Sequence, residues 1–175
     1  ALVRPHVDAA RARELLHGVL DADRLLHLAA RHSVRSHLTR GLARVGWQEA
    51  PAWLRENLDD FRRRHLLASL AFVGEIRRVA ERLDRDGIGF ITFKGVALAT
   101  HLYGDPSARE YVDIDLLVPP GRVADAEASL ATLGYRSPLG ERRVREAFIG
   151  YQRQYQLLDH DTGRALNLQI GRAHV

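Results

Sequence analysis

Val112-Asp113-Ile114-Asp115-Leu116-Leu117-Val118 is the stretch that decides the reading of this chain. Apolar and acidic residues alternate at its start, the period of a β-strand, so Val112, Ile114, Leu116 and Val118 share one face. Asp113 and Asp115 then share the other, their Cα atoms roughly 6.5–7 Å apart from the rise of a strand. Two carboxylates so placed can lean together on one hard cation, or on two ions about 3.5–4 Å apart as in two-metal phosphoryl transfer. Without a cation or basic partner they would repel and desolvate each other. The alternative is a wet sheet face, as on one side of many antiparallel sheets.

Upstream stands Phe93-Lys94-Gly95-Val96-Ala97-Leu98-Ala99, where an apolar run from Ile88 to Phe93 meets a glycine and a helical period begins. Glycine lets an anion approach the backbone closely, and the N–H groups of a helix start bind phosphates. Lys94 is the only lysine in the chain, and at that spot it can bring a point charge to a triphosphate. Taken singly, Gly95 is also a plain turn residue and Lys94 a solvated strand end. Arg109 lies four residues before Asp113, placed to neutralise the acids or to grip a phosphate bidentately.

The chain has 175 residues, 46% hydrophobic and 27% charged, which fits a folded globular chain and not a disordered one. Nothing approaches the ~20 apolar residues of a membrane span, and no secretory leader opens the chain, so a cytoplasmic location is expected. No cysteine is present, which excludes a disulfide framework and thiolate zinc sites. No methionine is present either, which reads as a processed chain or a piece of a longer one. The net charge of +4 rests on arginine and suits an anionic ligand or nucleic acid; an arginine-preferring genome would give the same balance.

Residues 1–86 read as a helical region. Asp8 is placed to cap a helix through Leu20, and Asp23 a second segment running by Leu25, Leu28 and Ala29 to Val34, Leu38, Leu42 and Val45, stopped at Gly46. From Pro51 onward Leu54, Leu58, Phe61, His65, Ala68, Phe72, Ile76, Val79 and Leu83 recur at steps of three and four, one continuous stripe ended by Gly87. Residues 87–175 read as a small α/β core. It comprises a strand near Ile88–Phe93, a helix over Val96–Tyr103, the acidic strand, a helix over Val123–Leu133 and a closing hairpin of Tyr151–Leu158 with Arg164–Ile170. The expected fold class is α+β with a mixed sheet. His27, His32 and His37 stand five apart, a spacing that does not align metal ligands on one helix face.

Phe93-Lys94-Gly95-Val96-Ala97-Leu98-Ala99, Leu102-Tyr103-Gly104-Asp105-Pro106, Arg109 and Asp113-Ile114-Asp115-Leu116-Leu117-Val118 together resemble the signature of the uncharacterised bacterial nucleotidyltransferase-like family. That family belongs to the DNA polymerase β-type nucleotidyltransferase superfamily. The resemblance implies that Lys94, Gly95 and Val96 hold nucleotide phosphates, with Arg109 assisting, and that Asp113 and Asp115 bind Mg2+ or Mn2+. It implies transfer of an NMP group from an NTP to an acceptor hydroxyl on a small molecule, protein or RNA. It also implies a third carboxylate in the last strand, where this chain has Leu166-Asn167-Leu168-Gln169-Ile170. Asn167 is neutral, a poorer metal ligand than a carboxylate and no general base. Asp159 or Asp161 are the nearby replacements, and two alternatives follow: a catalytically impaired nucleotide- or partner-binding protein, or a toxin-like tRNA nucleotidyltransferase.

Overall fold

The computed structural model describes residues 6, 8–18, 20–136, 152–158 and 165–172. The chain forms two compact units, the first of residues 1–70 and 99–111 and the second of residues 71–98 and 112–175.

In the first unit, α1 (Ala9–His17) starts on Asp8, whose carboxylate accepts from the Arg11 N–H at 2.9 Å. The next helix, α2 (Ala22–Arg31), is capped by Asp21 and not by Asp23, because only the Asp21 carboxylate reaches an N–H three residues ahead, that of Arg24 at 3.0 Å. Asp23 lies in its first turn. The long second segment read from the periodicity is in fact two helices. Ser33 takes the left-handed conformation, φ 53°, while Ser33 and Val34 donate back to the carbonyls of Ala30 and Ala29. This is a helix-ending Schellman turn with serine where glycine usually stands.

The chain then continues as α3 (Arg35–Val45), which stops at Gly46 with φ 122°. α4 (Ala52–Arg85) runs for 34 residues, and its first part belongs to this unit. Ala12, Leu16, Ala29, Leu38, Leu42, Val45, Ala50, Leu54 and Leu58 form one buried cluster, joined by Trp47 and Trp53. All nine stripe positions of α4 are buried or half-buried.

The second unit is built on a four-stranded mixed sheet in the order β1-β2-β4-β3. These strands are β1 (Ile91–Thr92), β2 (Asp113–Val118), β3 (Gln152–Leu158) and β4 (Ala165–Arg172). β1 is shorter than the apolar run suggested. After Gly87 (φ 64°) the Ile88 N–H returns to the Leu83 carbonyl at 2.9 Å, so Ile88 completes the end of α4 and is not free to pair as a strand. β1 pairs antiparallel with β2, β4 runs parallel to β2, and β3 and β4 pair antiparallel as the expected hairpin.

α5 (Gly95–Tyr103) follows β1, and α6 (Val123–Thr132) follows β2 and ends at Gly134 with φ 91°. Ile114, Leu116 and Val118 of β2 and Leu168 and Ile170 of β4 are at most 2% exposed, the apolar face read from the alternation; Val112, read onto the same face, precedes the strand and is 73% exposed. The whole is an α+β fold. Among the described residues no helix is long and apolar enough to cross a membrane.

Candidate functional site

The acid pair sits on β2, which is paired on both edges, by β1 and by β4. β1 lies opposite Leu116 and Leu117, and β4 runs beside the whole strand from Asp113 onward. The ladder with β4 thus occupies backbone groups beside the acids, and side chains or a ligand are what can meet the carboxylates. Asp115 is 4% exposed and Asp113 is half-buried. A buried carboxylate needs charge or hydrogen-bond compensation, and two side chains supply some of it. Lys94 Nζ lies 3.7 Å from Asp115 Oδ1, on a stem that is 53% exposed. Gln169 Nε2 donates to Asp113 Oδ2 at 2.9 Å.

Strand register brings these groups together. Thr92 lies opposite Leu116, so the residues leaving β1, Phe93 and Lys94, run on towards the part of β2 that carries Asp115. Lys94 also lies over the Phe93 ring, 4.9 Å from its centre, which helps fix the ammonium. Immediately afterwards Gly95 opens α5 with φ 54°, a conformation that favours glycine, and Lys94 contributes the carbonyl that accepts from the Leu98 N–H at 3.3 Å. The ammonium, the glycine turn and the first turn of α5 thus adjoin Asp115. Gly95 and Val96 are themselves buried.

On the other edge the parallel register sets Asn167 opposite Asp113 and Gln169 opposite Asp115. Asn167 therefore occupies the expected position beside the acid pair; its side chain lies outside what the structure describes, as do Asp159 and Asp161. Gln169 was not singled out from the sequence as a site residue. The signal was present, since a strand places Asn167 and Gln169 on one face, but the diagonal reach from Gln169 to Asp113 depends on how β4 registers against β2. Arg109 belongs to the first unit, where His65 Nε2 bonds its carbonyl at 2.9 Å.

Among the described residues no group of three or more histidine, aspartate or glutamate side chains is arranged to hold a metal. What stands at the site is two carboxylates, a neutral amide and an ammonium. That donor set suits a magnesium-type ion, which is commonly held by one or two carboxylates with waters and substrate phosphates completing its shell.

Fold and site together define a mixed-sheet core with paired aspartates on its inner strand and a lysine–glycine turn beside them. A family model described as uncharacterised nucleotidyltransferase matches residues 19–170, and the chain belongs to that family. No curated protein and no solved structure matches it.

Proposed function

We propose that the chain is a metal-dependent nucleotidyltransferase that moves an NMP group from an NTP to an acceptor hydroxyl. The acceptor oxygen forms a bond to the α-phosphorus, the bond from that phosphorus to the bridging oxygen breaks, pyrophosphate leaves, and the hydroxyl proton passes to solvent or a base. The observation that carries this reading is the 3.7 Å approach of Lys94 to Asp115, which ties the glycine turn to the acid pair.

Asp113 and Asp115 are the residues that would hold Mg2+ or Mn2+. When bound, such an ion neutralises the triphosphate and stabilises charge developing on the transferring group. Gln169 orients Asp113 through its hydrogen bond, so that one carboxylate oxygen is held while the other remains for a ligand. Lys94, on its half-exposed stem, brings a positive charge to the phosphates. The N–H groups at the start of α5, those of Gly95 and Val96, supply the positive end of a helix dipole to the same anion.

A second reading is supported by Asn167, which stands opposite Asp113 where the resemblance implies a carboxylate. An amide takes up no proton at neutral pH, so a chain relying on it transfers slowly or only binds nucleotide. One experiment separates the two. The protein is incubated with each labelled NTP, magnesium or manganese, and cell RNA or protein, and label transfer is followed. The enzyme reading expects transfer that falls about a thousandfold or more in Asp115→Ala, equivalent to at least ~4 kcal/mol of barrier. Absence of transfer with all four NTPs, together with its appearance in Asn167→Asp, establishes the impaired binder instead. Transfer to the RNA fraction would single out the tRNA-modifying variant of the same chemistry.

A further inference from the structure

The first unit gathers cationic groups where α3 meets the end of α5 and the segment that follows it. α3 contributes Arg35, His37 and Arg40; α5 ends on Tyr103; residues 104–111 bring Asp105, Arg109 and Glu110. The two carboxylates of this cluster are largely committed. Glu110 accepts from the Arg35 backbone N–H at 2.7 Å and from its guanidinium at 3.0 and 2.5 Å. Asp105 Oδ1 accepts from the Ser107 N–H at 2.8 Å and its hydroxyl at 2.7 Å, leaving Oδ2 to face Arg40 at 3.5 Å.

Two guanidiniums are left short of negative charge. Among the described residues Arg40 has only that long approach to a carboxylate, and it lies 5.2 Å from the centre of the Tyr103 ring. Arg109 is anchored by its carbonyl on His65, and its guanidinium makes no ion pair among the described residues. His37 meets the Tyr103 ring edge-on at 6.1 Å, and its buried Nδ1 has no hydrogen-bond partner among the described residues. A native protein rarely leaves such a nitrogen unexplained.

We propose that Arg40, Arg109, His37 and Tyr103 form a binding site for a phosphate group, free or carried by a nucleotide. Two forked guanidiniums match the several oxygens of a phosphate, a geometry that a lone ammonium donor lacks and a halide ligand would not need. Tyr103, 41% exposed, offers a ring beside them on which a base can stack. The electrostatics of His37 agree. Burial, then the charge of Arg109, then that of Arg40, hold its pKa below the ordinary histidine value, with Glu110 alone opposing. Asp105 acts at one remove, through Arg40, and Arg35 through Glu110. An arriving dianion compensates the two arginines, so His37 takes up a proton more readily when the site is filled. The proposed site is built from residues of the first unit alone, Arg109 among them, and its test does not use turnover.

The histidine ring signals of the full chain are followed by NMR at constant ionic strength, with His37 assigned by its loss in His37→Gln. Inorganic phosphate and a nucleoside monophosphate are titrated in turn. Expected are a saturable shift of the His37 signals and a raised His37 pKa. Affinity should fall about tenfold or more in Arg40→Gln and in Arg109→Gln, and stay unchanged in Asp115→Asn. Arg40→Lys and Arg109→Lys, which keep the charge but lose the fork, serve if a glutamine variant does not fold. They should also bind more weakly. Tighter binding of the nucleotide than of phosphate, lost in Tyr103→Leu, identifies a nucleotide site; equal affinities identify the phosphate as the whole ligand. No saturable shift with either probe, undiminished binding in the arginine variants, or loss of binding in Asp115→Asn would each overturn the assignment.

Discussion

The two units hold their carboxylates by different means. In the first, acids serve helix starts. Asp8 and Asp21 accept from N–H groups three residues ahead, and Glu110 accepts the first N–H of α3 from 75 residues away, where Val34 offers no side-chain cap. In the second, Asp113 opens β2 and Asp115 lies within it, and side chains that meet them include a glutamine 56 residues on and a lysine from beyond β1. A helix N-terminus gives a carboxylate free backbone donors. A strand interior has already used its donors in the ladder. The lesson is that acids of the first kind support the fold, while acids of the second kind leave room for a ligand.

The most severe way to break this comparison is Asp115→Ala, which should remove transfer, as described above, while leaving the melting temperature close to that of the parent. A large loss of stability there would make Asp115 a structural acid like the others. Next comes the apolar core that the helical unit depends on. Leu58 is fully buried in its cluster, and Leu58→Ala should destabilise by about 2–5 kcal/mol in chemical denaturation.

Glu110→Gln probes the helix-supporting acid directly. It removes a charge that Arg35 holds through backbone and guanidinium, and unfolding free energy should drop by about 1–3 kcal/mol without matching loss of metal affinity. The smallest effect has the opposite sign. Ser33→Gly relieves a left-handed serine at an exposed turn and should raise stability by about 0.5–1 kcal/mol, read as a higher melting temperature.

Where a feature depends on neighbours in sequence, it was readable from the sequence. The Asp8 cap, the stops at Gly46, Gly87 and Gly134, the long stripe of α4 and the alternation of β2 all act within a few residues. The break between α2 and α3 was hidden because Val34 and Leu38 keep the helical spacing across it. It is made by the backbone of Ser33, a residue with no glycine-like signal. Asp21 and Asp23 are both plausible caps by type, and only the carboxylate's reach to Arg24 decides between them.

The candidate site divides in the same way. Asp113, Asp115, Lys94 and Gly95 were legible from local pattern and resemblance. Gln169 was not, since its role follows from a parallel register that no short stretch encodes. The cluster around His37 was invisible for the same reason, being drawn from α3 and from a segment some 65 residues later.

The division of the chain between its units has a consequence for how the protein is made. Residues 99–111 of the first unit follow residues 71–98 of the second, so neither unit is one uninterrupted stretch. On a ribosome the helical unit is not complete until residue 111 has emerged, by which time part of the sheet unit is already out and waiting for β4. Cutting the gene after residue 86 would deliver neither unit whole. It would withhold Arg109 and Glu110 from the first, and strip the end of α4 from the second.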